Sequence, residues 1–509
     1  MSEALLLAID LGTSACKTIL FKPSGTLVAS ATAEYPIHTP YPGWAEQQPA
    51  EWWEAAVQTT RAVLDRSCCL PERITAVGLD SQSGAAVCLG GDGRPVCPAT
   101  IYLDKRSAPI CARLSTTELP ALLSRINGNP LDTSLVAPRL LWLKEREPEP
   151  YAGIAHTLPA SGYLAYRLTG ELSFSLSEGA FTGLFDTAQG KWSPELAVAW
   201  GVGLDRFAPL RASHEVVGYT TPAAAQETGL PVGIPVVAGT MDAAASLFGL
   251  GAIRGGQAIS MLGTSFSLLV AVDEPLLESG LLILHAATPG LWVLGGVVDA
   301  AGGALRWLRD EVADEERRQA RREGISSYEV MTRAAATIPA GADGLIFLPY
   351  LAGARAPRAE PYRRGVFFGL TLKHTRAHLI RATLEGCAFG LRYNLDAVSG
   401  AGVEVDMLRA CGGAAVSDLW VQIIADVCQL PVIRSSVTES SCLGSAMLAG
   451  IGAGLYRDAA DAVAHIRARQ ELIQPRPEAA ACYSGWYELF REVDSALDAS
   501  FVRYANVGT

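Results

Sequence analysis

Positive charge is what this chain is short of. Its 41 Lys and Arg are outnumbered by 52 Asp and Glu, leaving a formal net charge of −11. That balance argues against a nucleic-acid partner and against an anionic membrane surface. Paired cysteines are also missing. The 11 Cys are an odd number, scattered, with Cys68 and Cys69 adjacent and no Cys-x-x-Cys. Neither a disulfide framework nor a zinc site is expected, and the thiols fit a reducing, cytoplasmic setting. No basic segment opens the chain, and Asp10 interrupts the first apolar run, so no signal peptide is expected. The longer apolar stretch, 236–253, holds Asp242 and several Gly, which favours a buried strand–turn–helix over a membrane span. No segment is low in complexity, so no flexible linker is placed, and no G-x-x-x-x-G-K-[ST] loop occurs.

What is present is a long, well-buried chain. At 509 residues it exceeds one compact core, and 49% hydrophobic against 18% charged residues is a globular balance. The tetrapeptide Leu-Gly-Thr-Ser occurs twice, at Leu11-Gly12-Thr13-Ser14 and Leu262-Gly263-Thr264-Ser265, about half the chain apart. Each copy follows an apolar stretch and precedes another. Strand, tight turn, strand is a shape that can wrap N–H groups and hydroxyls around a phosphate. It is equally the shape of two ordinary hairpins. Asp10 precedes the first copy, where the second has Met261.

Apolar patterning predicts strands over 4–9, 16–21 and 27–34, a helix opened by Pro49 and running to about 66, and further strands over 74–79 and 85–89. This is a mixed α/β layer rather than pure βαβ winding. Residues 110–230 read as helix-rich. The pattern restarts at 235–238 and 255–272. The charged stretch 314–323 reads as the solvated face of a helix, 379–395 and 419–428 as amphipathic helices, and 486–501 as a helix packing back onto one lobe. The lobe boundary falls near 243–255.

Three constellations carry chemistry. Asp10-Leu11-Gly12-Thr13-Ser14-Ala15-Cys16-Lys17 gathers a carboxylate, a Gly, two hydroxyls and an ammonium, a set that can serve Mg2+ and the phosphates of ATP. Gly239-Thr240-Met241-Asp242 ends a buried strand before a small-residue helix. Its Asp is a helix N-cap on local grounds, or a general base. Cys411-Gly412-Gly413-Ala414 is a strand–helix turn that would let a flat ring or phosphate approach the backbone, or a plain βα turn. The Gly450-Ile451-Gly452-Ala453-Gly454 run reads as a helix-end loop.

The order and spacing of these pieces resemble the FGGY carbohydrate kinases, within the actin–hexokinase–heat-shock ATPase superfamily. The segments 349–357, with Ala354 where Glu is usual, and Gly365-Val366-Phe367-Phe368-Gly369-Leu370 resemble the family signature. Ala137-Pro138-Arg139-Leu140-Leu141-Trp142 resembles another family segment, with Arg139 where Lys is usual. Trp44-Ala45-Glu46-Gln47-Gln48-Pro49 and Trp52-Trp53 resemble a stretch common in xylulokinases.

The resemblance implies two ribonuclease H-like, actin-like ATPase α/β domains, with mixed sheets flanked by helices and a cleft between them. Residues 1–246 and 247–460 would be the lobes, and 461–509 a C-terminal helical segment. Asp10 would position Mg2+. Thr13, Ser14, Lys17, Gly263, Thr264 and Ser265 would hold phosphates, and Gly412, Gly413 and Ala414 would border the adenosine. Asp242 would be the base, and Asp104 would lie near the sugar. Two departures bear on the substrate: Gly84 stands where xylulokinases carry a substrate-binding His, and Ala243 where they carry Asn. Ser81, Gln82 and Ser83 remain to read hydroxyls. The expectation is an ATP-dependent kinase of a small ketose, D-xylulose first, with glycerol, ribulose or gluconate as alternatives. A catalytically inactive sugar- or nucleotide-binding regulator is the alternative of another class. Homodimers are common in the family.

Overall fold

The computed structural model describes residues 4–355, 357–358 and 360–507; Ala356 of the signature-like segment lies outside them. The chain builds two seven-stranded mixed sheets of matching logic. In the first, Leu5–Leu11, Ala15–Phe21 and Leu27–Glu34 form an antiparallel meander. Leu5–Leu11 then pairs in parallel with Ile74–Ser81 after the crossover helix Pro49–Ser67. Leu5–Leu11 is buried on both faces apart from Asp10, as a central strand must be. Leu27–Glu34 alternates exposed and buried positions and stands at the sheet's edge. Helix Pro49–Ser67 starts with Pro in its first turn and stops at Cys68, which is left-handed at φ 49°. Its buried face carries Trp52, Trp53, Ala56 and Val63.

The second sheet repeats the plan. Ala258–Leu262, Phe266–Val272 and Trp292–Val298 form the meander, and Ala258–Leu262 pairs in parallel with Leu408–Cys411 after the long helix Arg376–Gly400. The two Gly-Thr-Ser turns therefore occupy equivalent hairpins. Three expectations are adjusted. The strand foreseen at 85–89 shortens to Val87–Leu89 and pairs with His156–Leu158 outside the main sheet. Residues 461–509 are not only helical, since Gln470–Ile473 adds an edge strand beside Val432–Ser435. The terminal helix begins earlier, as Pro477–Ala496, and a second, Asp498–Val507, follows. The stretch 236–253 folds into the end of strand Pro235–Val237, the short strand Thr240–Met241 and helix Asp242–Gly249. No helix among the described residues is long and apolar enough to cross a membrane. All 11 Cys are free thiols.

One helix from late in the sequence joins the halves. Ser440–Gly452 packs against both Asp242–Gly249 and the first sheet. It comes so close that side chains are excluded at the crossings. A Cβ on Gly444 would lie 2.0 Å from the carbonyl oxygen of Ala245, one on Gly249 2.0 Å from that of Ser440, and one on Gly78 2.0 Å from that of Ser445. The run at 450–454 ends this helix, as expected, and Gly452 would collide with the His214 carbonyl if it carried a side chain. Gly444→Ala should therefore destabilise the protein by about 1–3 kcal/mol through overpacking. A thermal midpoint equal to that of the unaltered protein would show that the two helices do not touch there.

Candidate active site

The first hairpin turns between Leu11 and Cys16, the last cross-strand pair, and closes with Gly12 N–H donating to the Ala15 carbonyl at 3.0 Å. Its carbonyls are held from outside. Tyr35 Oη donates to Gly12 O, Gln47 Nε2 donates to Thr13 O at 2.8 Å, and Tyr35 N–H donates to Ser14 O at 3.2 Å. Ser14 is left exposed at the tip and Thr13 half-buried. Cys16 points into the core, where burial pushes its thiol up to about 12, so it behaves as a small apolar residue.

Strand register lines up a polar row across four strands. Lys17 pairs with Asp10, Asp10 with Asp80, and Asp80 with Thr240. Residues directly opposite on neighbouring strands present their side chains to the same face. The sequence reading missed Asp80, although the signal that flags Asp10, an apolar run closing on Asp, is present there too. Asp80 is 0% exposed; its Oδ2 accepts from Ser445 Oγ at 2.6 Å and its Oδ1 has no hydrogen-bond partner. Burial, and then the charge of Asp10, push Asp80 well above the usual carboxylate range. Asp10 Oδ2 accepts from Ser441 Oγ at 3.1 Å. Burial raises Asp10 as well, against the hydrogen bonds from Asp80 and Ser441.

Lys17 differs from its expected place. Its Nζ lies 2.5 Å from Glu439 Oε2, so the ammonium ties the hairpin to the residue before helix Ser440–Gly452 instead of facing an open phosphate position. Burial is the largest effect and opposes its charge, but the hydrogen bond and charge of Glu439, with Cys442 and Asp10 adding to them, together raise it. Asp242 is the first residue of helix Asp242–Gly249, whose N-cap position falls on Met241 with no side-chain cap bond. Asp242 Oδ1 accepts only from the adjacent Ala243 N–H, at 2.6 Å, so the cap expected on local grounds does not form. Burial first, then the charge of Asp10, raise it to about 7. Asp10 and Asp242 thus share one electrostatic neighbourhood.

Ser177 Oγ accepts from Met241 N–H at 3.1 Å and bonds Thr240 Oγ1 at 2.8 Å, fixing the strand that leads to Asp242. Glu178 follows, buried, with Ser81 Oγ donating to Oε1 at 3.0 Å and Ser161 Oγ donating to Oε2 at 2.6 Å. Burial raises it to about 7, and the hydroxyls and Asp242 pull in opposite directions. No local pattern marks Glu178, because its partners lie far away in sequence.

The second hairpin is one residue tighter. Leu262 pairs with Phe266, and Gly263 N–H donates to Ser265 O at 3.0 Å. Gly263 and Thr264 are exposed and Ser265 half-buried. The start of helix Ala301–Glu311 presses on it: Gly303 N–H donates to Thr264 O at 2.9 Å, and a Cβ on Gly302 would lie 2.2 Å from Gly263 O. Beside it, Gly412 is left-handed at φ 97° and would drive a Cβ to 2.9 Å from Leu262 O. Gly413 faces open space, and Ala414 is half-buried. The turn at 411–414 thus lies against the second hairpin with its glycine backbone uncovered.

On the other side, Gln82 Nε2 donates to Gln47 Oε1 at 2.8 Å, linking it through Gln47 to Thr13 O, and the buried Gln82 Oε1 has no partner. Ser83 is half-buried beside it. Gly84 has φ 63°, and a Cβ there would lie 2.8 Å from Ser134 O, so no larger side chain fits this backbone. The buried Arg139 donates to the Gly84 and Ser134 carbonyls, and burial lowers it to about 10. Asp104 departs from a sugar-facing role. It is 0% exposed, and its oxygens accept from Ala45 N–H at 2.7 Å and from the Arg106 guanidinium at 2.8–3.0 Å. Arg106 in turn reaches Glu46 Oε1 at 2.6 Å and stacks 3.7 Å over Trp44. Asp104 orients this arginine and has no oxygen to spare. Among the described residues, no group of three or more His, Cys, Asp or Glu side chains is arranged to hold a metal ion.

Two mixed sheets of equivalent order, each with a Gly-Thr-Ser hairpin, and a carboxylate row at the joining helix define a two-domain actin-like ATPase fold. The chain belongs to the FGGY family of carbohydrate kinases: residues 5–249 match its N-terminal domain and 258–453 its C-terminal domain. It is 32% identical to xylulose kinase of Escherichia coli (strain K12), over 97% of this chain and 99% of that one. It is 30% identical to gluconokinase of Bacillus subtilis (strain 168), over 98% of each. The crystal structure of xylulose kinase from Rhodospirillum rubrum superposes with a TM-score of 0.90 at 30% identity, covering 98% of this chain and 99% of that one. The protein is therefore a sugar kinase. Gly412→Ala should cost about 1–3 kcal/mol through backbone strain and shrink the rise in thermal midpoint that ADP produces. A variant with the midpoint and ADP response of the unaltered protein would place the nucleotide elsewhere.

Proposed function

We propose that the protein transfers the γ-phosphoryl group of ATP to a hydroxyl of a small uncharged ketose, with D-xylulose to xylulose 5-phosphate as the leading reaction. The observation that carries this reading is Asp242: a carboxylate at a helix start, raised to about 7, beside Asp10 and the first hairpin. In this reading 1–246 and 247–460 act as the two lobes that close on the substrates and exclude water. N–H groups and hydroxyls of Thr13, Ser14, Thr264 and Ser265 hold the phosphates, with Gly263 letting them approach the backbone of the second turn, and Gly412, Gly413 and Ala414 border the adenosine. Asp242 accepts the proton of the sugar hydroxyl as its oxygen bonds the γ-phosphorus and the bond to ADP breaks. The unpartnered Gln82 Oε1, with Ser83, is placed to accept from sugar hydroxyls. Eleven free thiols fit a cytoplasmic protein.

Mg2+ prefers hard oxygen donors and keeps water and phosphate in its shell. The half-buried Asp10 carboxylate beside the hairpin fits that preference, and Asp10 would hold the ion. When bound, the ion would neutralise charge on the phosphate oxygens.

The substrate class follows from charge. Asp10, Asp80, Asp242 and Glu178 crowd the acceptor side, while Lys17 is engaged by Glu439 and Arg106 by Asp104 and Glu46. A sugar carboxylate entering there would meet like charge. Gluconate remains the second reading because a gluconokinase is similar over the full length and the buried Arg139 cation lies beside Gly84. In a coupled ADP-release assay, D-xylulose or D-ribulose should exceed gluconate in kcat/KM by at least about tenfold, given the cost of facing like charges. A preference for gluconate would reverse the assignment.

Asp242→Asn should reduce sugar-dependent turnover by about 10²–10⁴-fold, the range for a general base, while ATP still binds. Turnover in the unaltered enzyme should fall as pH drops through about 7, because protonated Asp242 cannot accept a proton. A flat profile from pH 5 to pH 9, or full activity in the variant, would rule Asp242 out as the base.

A further inference from the structure

We propose that Asp80 joins Asp10 in holding the divalent cation that accompanies the nucleotide, giving this chain a two-carboxylate cation site. The inference rests on the reading of Asp10 given above and extends it to a residue that none of the sequence motifs contains.

The geometry is that of a prepared pair. Asp10 and Asp80 are direct partners on adjacent parallel strands, so their side chains lie side by side on one face. Helix Ser440–Gly452 treats them alike. Ser441 donates to one oxygen of Asp10 at 3.1 Å, and Ser445, one turn later, donates to one oxygen of Asp80 at 2.6 Å. Each carboxylate keeps its other oxygen. In Asp80 that oxygen, Oδ1, is buried and receives no hydrogen bond from a hydroxyl or amide, within a residue that is 0% exposed; what adjoins Asp80 is the Asp10 carboxyl, another group rich in acceptor oxygens. An unsatisfied buried carboxylate oxygen is expensive and needs an explanation.

No protein cation supplies one. Lys17, the basic member of the row, is bound to Glu439. Two neighbouring carboxylates with hard oxygens, one of them two residues before Gly12 of the first hairpin, suit Mg2+ or Mn2+. Such an ion takes one or two carboxylates and completes its shell with phosphate oxygens and water. The alternative arrangement is a carboxyl pair sharing one proton, with the ion on Asp10 alone. The experiment separates the two.

The measurement is the gain in ADP affinity on adding Mn2+, read by calorimetry on the full chain with no sugar present. Asp80→Asn should shrink that gain by more than about 100-fold, beyond what loss of an outer-shell partner alone causes. Asp10→Asn should shrink it similarly. A gain unchanged in Asp80→Asn but lost in Asp10→Asn overturns this inference and leaves the reading of Asp10 standing. A gain unchanged in both variants overturns the two together. If Asp80→Asn does not fold, Asp80→Ser, which keeps a hydroxyl opposite Ser445, provides the same comparison.

Discussion

The contact between helices Asp242–Gly249 and Ser440–Gly452 sets the geometry of everything else. Backbone meets backbone at Gly249 and Gly444, and Gly78 lets the first sheet come equally close. Protein interiors pack densely enough that one added methyl group is felt. At this depth of approach, a methyl would push the joining helix away from the sheet. That helix carries Ser441 and Ser445 to Asp10 and Asp80, and the residue before it, Glu439, to Lys17. Three small residues without side-chain chemistry therefore position the groups that have it.

The consequence is a concentration of negative charge where a kinase must receive a polyanion. Burial raises the carboxyls of Asp10, Asp80, Asp242 and Glu178; the charge of Asp10 raises Asp80 and Asp242 further, and that of Asp242 raises Asp80 and Glu178. Such a cluster is unfavourable without something positive, and the side-chain cations nearby are already paired. A base that titrates near neutrality is one product of that crowding.

The two halves share a plan and differ in detail. Both hairpins close on Gly-Thr-Ser, but the first is held through its carbonyls by Tyr35 and Gln47, and the second by the glycines that start helix Ala301–Glu311. Gln47 also bonds Gln82, so the acceptor-side loop and the first hairpin are mechanically linked. On the sugar side, Gly84 has no room for a larger side chain, and its carbonyl is instead gripped by Arg139. Gly84, which departs from the xylulokinase pattern, and Arg139, where the family segment usually has Lys, thus meet in one local contact.

Much of this was legible beforehand because it is local. The meander of the first sheet, helix Pro49–Ser67, the paired hairpins and the acids Asp10 and Asp242 at strand ends follow from period-two burial, Pro and Gly placement and short-range turns. The strand at Gln470–Ile473 was not legible, because an exposed polar edge strand carries little apolar pattern. Charge partners were also invisible. Lys17 looked free until Glu439 arrived from 422 residues away, and Asp104 looked sugar-facing until Arg106 and Ala45 took its oxygens. Sequence alone determined which residue types sit at the strand ends, since hydrophobic periodicity and turn chemistry act over a few positions. Only the tertiary structure decided which of those groups are already satisfied and which remain open, because hydrogen bonds and charges are paired by distance in space.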